Sequence, residues 1–401
     1  MLIWAAGLLV FPPRAKAEES KVVGSIAVRQ EYNDNLFFDS AGGQRDFVTT
    51  VSPGLDWTER TELLDFALSG RLDALRYWMN HEFDAVDFLG QSGVQCRPDP
   101  RLSLSAEAGM SRDSRPDRDI EVTGLVLGTQ PRDRWFYTLG GSYLLSEMSS
   151  LGLQFNQSED EYKDPALSDS RGYRGSIFFA RDFRDLHPSL KGRANFGYGR
   201  YYYETSETEG YRWTLGAEGA LSETWGFVVD LGLSRTRSKY KVTTLQPVVI
   251  FPFVVQVPVT EEKTSTAWGG VGQIGLSYRD DETGGGISLQ QDISPASGTG
   301  TVWSTILRMY LDQRFTYELN GGLSAGYYYN QAERGEFSTG ETRRHTFNLS
   351  ARLRYDFSKD MSVEASYAYS RVLDQIADTR ADRSLFMVRF FIQQDLLGLG
   401  R

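Results

Sequence analysis

The side chains able to do chemistry are few and scattered. Histidine occurs only at His81, His187 and His345, and none stands at the spacing of a nucleophilic triad or a metal site. Cys96 is the single cysteine, so no internal disulfide can form, and a small residue at a strand end describes it. Asp280 and Asp281 are adjacent carboxylates, but Asp280-Asp281-Glu282-Thr283 reads as a turn, where solvated charge is the simpler account. Gly284-Gly285-Gly286 opens an extended run and lacks the helix that a phosphate-cradling loop requires. The sequence therefore predicts no catalytic residue, no metal and no cofactor.

What remains is a patterned set of polar groups. Asp65, Arg71, Asp73, Arg101, Glu107, Arg193, Asn195, Arg212, Glu218, Asp230, Arg308, Asn348, Arg352, Arg354 and Glu364 recur at alternate positions within runs whose intervening residues are mainly apolar. Such a set is expected to line a water-filled lumen and to suit hydrated or hydroxyl-rich cargo; the same charges can also pair with one another and merely solvate it. A second set, Arg112, Arg115, Asp117, Arg118, Asp119 and Glu121, is packed into one connection, Ser111 to Pro131. That connection either folds inward as a constriction or forms a solvated surface loop.

Only strands can place these residues. Tyr211, Trp213, Leu215, Ala217, Gly219 and Leu221 alternate with Arg212, Thr214, Gly216, Glu218 and Ala220, a period of two that puts each set on its own face. Leu102 to Met110 and Phe347 to Tyr355 repeat the pattern. About 18 strands of membrane-spanning length are expected. They start near Lys21, Arg45, Leu63, Glu82, Arg101, Arg134, Ser150, Gly172, Ser189, Gly210, Thr224, Ser265, Gly284, Thr301, Tyr317, Arg343, Asp360 and Asp382. Tight turns such as Arg97-Pro98-Asp99-Pro100 and Ser222-Glu223 alternate with longer polar connections, Asn33 to Gln44, Ser111 to Pro131, Asp160 to Arg171 and Val242 to Lys263. The connection around Trp78 to Glu82 breaks this rule by being short. Within Val242 to Lys263 the apolar run Val248 to Val255 suggests a hairpin turning at Phe251-Pro252, or else a plug or a partner surface.

Composition agrees with an all-β transmembrane antiparallel barrel. Of 401 residues 40% are hydrophobic, with 40 Gly, 21 Tyr, 23 Phe and 8 Trp. Mean hydropathy is only -0.40, and past the N-terminus no apolar run approaches the roughly 20 residues of a membrane helix. Strands that show lipid only every second side chain reconcile these facts. Trp57, Trp225 and Tyr355 are expected to ring the turn side, and Tyr201, Tyr202, Tyr203, Tyr211, Trp213 and Tyr327 to Tyr329 the loop side. The charge of -10, from 43 basic and 53 acidic residues, argues against a nucleic-acid partner. Residues 1–17 read as an export signal cut after Ala15-Lys16-Ala17, leaving 18–401 as the barrel, in the outer membrane of a Gram-negative cell. The signal has no early basic residue, which implies that the natural start lies upstream of Met1.

Glu31-Tyr32-Asn33-Asp34-Asn35-Leu36-Phe37, Val51-Ser52-Pro53-Gly54-Leu55, Ala74-Leu75-Arg76-Tyr77 and Ser111-Arg112-Asp113-Ser114-Arg115-Pro116 follow in order along the chain. They resemble an outer-membrane β-barrel porin family that accompanies exopolysaccharide-export and PEP-CTERM-type gene systems. The resemblance implies a conduit for polysaccharide, with periplasmic export components as partners beside the membrane lipid. It supplies no catalytic residue. The alternatives are a general diffusion porin for small solutes and a structural sheath around a periplasmic partner.

Overall fold

A computed structural model describes residues 19–397 except 116–118, 127–130, 164–166, 251–252, 297–299 and 338–339. The export signal and the proposed Phe251-Pro252 turn lie outside the described residues. The first nine strands are β1 (Glu19–Asn33), β2 (Asp46–Arg60), β3 (Leu64–Tyr77), β4 (Ala85–Asp99), β5 (Leu102–Asp113), β6 (Arg132–Ser146), β7 (Ser149–Tyr162), β8 (Ser170–Asp182) and β9 (Lys191–Tyr203). The remainder are β10 (Ser206–Ala220), β11 (Trp225–Ile250), β12 (Phe253–Arg279), β13 (Thr283–Ala296), β14 (Gly300–Arg314), β15 (Leu319–Ala332), β16 (Thr342–Ser358), β17 (Met361–Asp374) and β18 (Thr379–Asp395).

Each strand pairs antiparallel with its sequence neighbours, and β18 returns to β1, with Val23 opposite Asp395 and Asn33 opposite Leu385. The 18-stranded sheet is thus closed. Closure removes the two edges whose unpaired N–H and C=O groups would otherwise face solvent or lipid.

Alternation sets the faces. In β10, Tyr211, Trp213 and Leu215 are exposed while Arg212 and Thr214 between them are partly buried. The register carries this parity round the sheet: Arg212 lies opposite Ser234, and Thr214 opposite Asn195. Leu215, Leu231 and Leu153 are 72%, 58% and 58% exposed on the outward set. Leucines so placed are the signature of a surface that meets something other than water.

One alternative is decided and three expectations change. Of the readings offered for Val242 to Lys263 the hairpin is the one present: β11 and β12 stay paired from Trp225–Tyr278 up to Ile250–Phe253, so the strands run on beyond their neighbours as a two-stranded ribbon. Pro247 and Pro258 are tolerated there because a ribbon has free edges where a missing N–H is not needed. The short connection after β3 is seven residues, Trp78 to Asp84, built round a 3-10 turn at His81–Phe83. Buried Asp46 organises it, accepting the N–H groups of Trp78, Met79 and Asn80 at 2.9–3.0 Å. Connection length is also sorted less strictly than expected: β9 and β10 are joined at the loop end by Glu204 and Thr205 alone, and β8 and β9 at the turn end by Phe183 to Leu190. Finally, the tyrosine runs split between faces. Tyr202, Tyr327 and Tyr329 point outward, whereas Tyr201, Tyr203 and Tyr328 share the inward register of Gly172, Ser170 and Thr346.

Candidate functional site

Inward positions differ sharply between the two ends of the strands. Toward the turns they face open space: the side chains of Arg352 and Arg354 are 59% and 48% exposed. Toward the loops they are packed: Asp46, Asn330 and Thr346 are 0% exposed and Glu31 3%. Two small apolar clusters sit in this outer half. Leu36 from the first loop packs on Val48, Leu75 and Tyr77, and Leu125 from the Ser111 to Pro131 connection packs on Val302, Ala332 and Phe337.

The second cluster shows where that connection goes. It leaves the wall between β5 and β6 and lands on β14, β15 and β16, half the circumference away. Asp87 starts the inward path by accepting the N–H and hydroxyl of Ser114 at 3.0–3.1 Å. Arg115 then reaches Glu31 of β1 with both terminal nitrogens, at 3.1 and 3.2 Å. Residues 119 to 124 make a turn with helical bonding, Thr123 N–H to the Asp119 carbonyl at 2.8 Å and Gly124 N–H to Ile120 at 3.2 Å. The last carbonyls of such a turn have no N–H donor within it. Here the far wall satisfies four in succession. Tyr328 donates its hydroxyl to the Glu121 carbonyl, Arg308 reaches Val122 at 2.7 Å, Asn330 reaches Thr123 at 2.7 Å, and Thr346 donates to Gly124.

Two features lock this turn. Gly124 has φ +71, a left-handed conformation, and a Cβ there would lie 2.3 Å from Cβ of Tyr328. Only glycine both adopts that conformation cheaply and lets the wall approach so closely. On the near side Arg132 of β6 bonds Asp119 at 2.7 Å, with both side chains more than nine-tenths buried.

The outward surface supplies the remaining geometry. Along β11, Trp225, Phe227, Val229, Leu231 and Leu233 face out before Arg235 interrupts them. At roughly 3.3 Å per residue and a tilt near 40°, that stretch climbs about 20 Å, most of the roughly 25 Å height of an outer-membrane apolar band. Trp225 and Tyr278 pack together at its turn-side edge, and Tyr211, Trp213 and Trp268 stack at its loop-side edge. Above the rings, outward Arg–carboxylate pairs begin, such as Arg112 with Asp133 and Arg200 with Glu207. The chain is a transmembrane β-barrel of the outer membrane.

No family model matches the barrel's sequence, and no curated protein matches it. Among solved structures it is similar to OccAB4 of Acinetobacter baumannii, at 10% identity over 95% of this chain and 99% of that one, TM-score 0.48. It is also similar to the outer membrane protein OpdK of Pseudomonas aeruginosa, at 10% identity over 94% of this chain and 100% of that one, TM-score 0.44. The ferric-catecholate import receptor Fiu of E. coli K12 is a further match, at 8% identity over 94% of this chain and 82% of that one, TM-score 0.48. At these identities and scores the likeness transfers no substrate and no site.

Within the barrel, Asp65, Arg71, Asp73, Glu107, Arg193, Asn195, Arg212, Glu218, Asp230, Arg308, Asn348, Arg352, Arg354 and Glu364 fall in the inward register. Arg101 does not belong to the wall: β5 starts at Leu102, and Arg101 stands in the turn before it. Arg193 is clamped between Glu218, at 2.7 Å, and Asp230. Arg71 pairs with Asp73 at 3.0 Å, Arg354 with Asp356 at 2.8 Å, and Asn195 bonds Thr214 at 3.1 Å. Arg112 stands outward on β5 with Asp133, away from the lumen. The Glu121 side chain is exposed, its carbonyl being the part that is held. Asp117 and Arg118 lie outside the described residues.

Sequence reading passed over Arg29, Glu31, Arg174, Asp292 and Asp312, all inward. Their parity was available: Arg29 and Glu31 alternate with Val28 and Gln30 in β1. Nothing in the sequence pairs Arg212 with Asp292 or Arg352 with Asp312, because those contacts skip across intervening strands.

Proposed function

We propose that the barrel is a restricted porin for small hydrated solutes, with a wide vestibule on the turn side and a constriction made where residues 119 to 125 are held against the far wall. One observation carries this reading: four successive carbonyls, Glu121 to Gly124, held by side chains of the opposite wall. A segment strung across the loop-end half of the lumen narrows it there, and only solutes small enough to pass beside it are served. The charged residues of the vestibule, Arg352, Arg354 and Glu364 among them, keep water and ions in the wide part. Polysaccharide passage, which the family resemblance implies, calls for a continuous bore, and the tethered segment favours the small-solute alternative.

Swelling of liposomes carrying the full chain tests this. Monosaccharides are expected to enter at least about tenfold faster than a long oligosaccharide. Equal entry rates overturn the small-solute reading and return the polymer conduit.

A further inference from the structure

The barrel wall is incomplete at one place. Pairing between β12 and β13 ends at Gly272 with Gln291, although β12 runs on to Phe253 and β13 to Ala296. On β12, Gly272 lies between Tyr278, at the turn-side edge of the apolar band, and Trp268, at its loop-side edge. The stretch Trp268 to Val271 is therefore at membrane depth with β11 as its ladder partner and none on the β13 side. We propose that this seam is a lateral port, through which a small neutral amphiphile passes between the lumen and the outer leaflet.

An open strand edge does not face lipid, because its N–H and C=O groups would find no partner there; it is tolerated where protein covers it or where it lines a cavity. Both conditions hold here. Trp303 of β14 covers the inward side of Gly269 so closely that a Cβ there would lie 2.0 Å from its ring, and Val271 and Ile293 are 5% and 8% exposed. Ile293 and Trp303 belong to the outward register yet lie behind β12, so the ends of β13 and β14 lean into the lumen. Two contacts agree with that lean: Asp292 reaches Arg212 of β10 past two strands, and Thr301 stands 3.5 Å from the hydroxyl of Tyr203 on β9. Behind the seam is a cavity of about 330 Å³ whose wall takes Val271 and Gly272 from one edge and Gln291, Asp292 and Ile293 from the other.

The outer mouth is clear. Gly270 and Gly272 hold the outward positions, and a Cβ on Gly270 would meet nothing within 4 Å. Side chains of Val271, Ile293 and Trp303 thus close the wall where backbone bonds close it elsewhere. Lipid tails are as apolar as these side chains, so parting them within a bilayer exposes nothing to water and breaks no ladder.

The seal and the cavity select the same chemistry. A charged group entering between Val271 and Ile293 would lose its water and gain no partner, at a cost of several kcal/mol. The cavity side holds no surplus charge, since Arg174, Arg193 and Arg212 are balanced by Glu218, Asp230 and Asp292. Gln273 and Gln290 face each other in the inward register just below the fork, and their carboxamides both donate and accept. An apolar body with one uncharged amine, hydroxyl or carbonyl fits both.

Uptake of N-phenylnaphthylamine, a neutral amphiphile that fluoresces on entering a membrane interior, tests the port in intact Gram-negative cells carrying the full chain. Uptake is expected to be at least about tenfold faster than in cells without the barrel. The sulfonated, anionic form of the same ring system should gain nothing. Gly270→Phe fills the outer mouth and should return uptake to the level of cells without the barrel, with monosaccharide swelling of liposomes unchanged. Ile293→Ala thins the seal and should raise uptake above the parent. Heat-modifiable migration on gels confirms that each variant remains a folded barrel. Uptake no faster than without the barrel, equal acceleration of the sulfonate, or uptake that Gly270→Phe and Ile293→Ala both leave unchanged overturns the port. Uptake by a barrel that fails the swelling assay would sink the porin reading and leave the port; swelling without uptake would do the reverse.

Discussion

The two halves of the lumen use the same residue types to opposite ends. In the loop-end half, Asp119 and Arg132 are buried together and Glu31 is almost inaccessible beneath Arg115. In the turn-end half, Arg352 with Asp312 and Arg354 with Asp356 stand nearer solvent. An exposed pair is worth about 0–1 kcal/mol, whereas removing one partner of a buried pair costs about 3–5 kcal/mol, because the other charge is left without water or partner. The outer half is therefore a rigid closure and the inner half a solvated vestibule. Charge alone distinguishes neither; access to water does.

Breaking the buried pair is the most severe test. Arg132→Ala leaves the Asp119 carboxylate buried and unpaired, a penalty of about 3–5 kcal/mol that the tethered turn escapes by leaving the wall. Single-channel conductance in planar bilayers should rise several-fold. Asp356→Ala, which strands exposed Arg354, should change barrel stability by no more than about 1 kcal/mol. Equal effects of the two substitutions would erase the distinction between the halves.

Gly124→Ala comes next. Left-handed backbone costs a residue with a Cβ about 1–2 kcal/mol, and the clash with Tyr328 adds about 1–3 kcal/mol. Conductance should rise less than for Arg132→Ala, and protease should nick the Ser114 to Pro131 segment faster. Resistance equal to the parent would show that the four carbonyl contacts do not hold the segment. In the vestibule, Arg352→Gln should leave thermal stability within about 0.5 kcal/mol while freeing Asp312 to attract cations. The reversal potential across a salt gradient should move toward cation selectivity, and an unmoved potential would remove Arg352 from the conducting path.

Strand number and facing were legible because the period-two pattern is a local property, visible in runs such as Tyr211 to Leu221. The hairpin of β11 and β12 was legible in the apolar run Val248 to Val255, but its length was harder: Pro247 and Pro258 count against a strand in a sheet interior, and the end of β10 at Ser206 and of the β12–β13 pairing at Gly272 make the strands free-edged there. The tyrosine runs were misread as one belt because residue type was allowed to outweigh parity; Tyr201 and Tyr203 were inward by the same alternation that placed Arg193 and Asn195. The site was legible in composition and hidden in geometry. The density of charge in Ser111 to Pro131 marked the segment, but its tether uses backbone carbonyls on one side and Arg308, Tyr328, Asn330 and Thr346 on the other. A carbonyl leaves no trace in a sequence, and the wall residues lie some two hundred positions away.

The mildest expected effect lies at the turn end, outside the membrane. Asp280, in the turn between β12 and β13, accepts the Tyr278 hydroxyl at 2.6 Å and the N–H groups of Glu282 and Thr283 at 2.8 and 2.6 Å. Those donors favour the ionised form and hold its pKa below the ordinary value, the Tyr278 bond most of all. A carboxyl whose folded pKa is depressed stabilises the turn above its unfolded value, about 3.9, and loses that contribution as pH falls through the folded value. The Thr283 amide proton should therefore titrate with a midpoint under 3.9 in spectra of the micelle-bound barrel, and the response should vanish in Asp280→Asn. A midpoint at or above 3.9 would overturn the assignment of these donors. Because the turn is fully exposed, conductance should not follow this titration; if it does, the turn end is coupled to the constriction and the two halves of the lumen are one device.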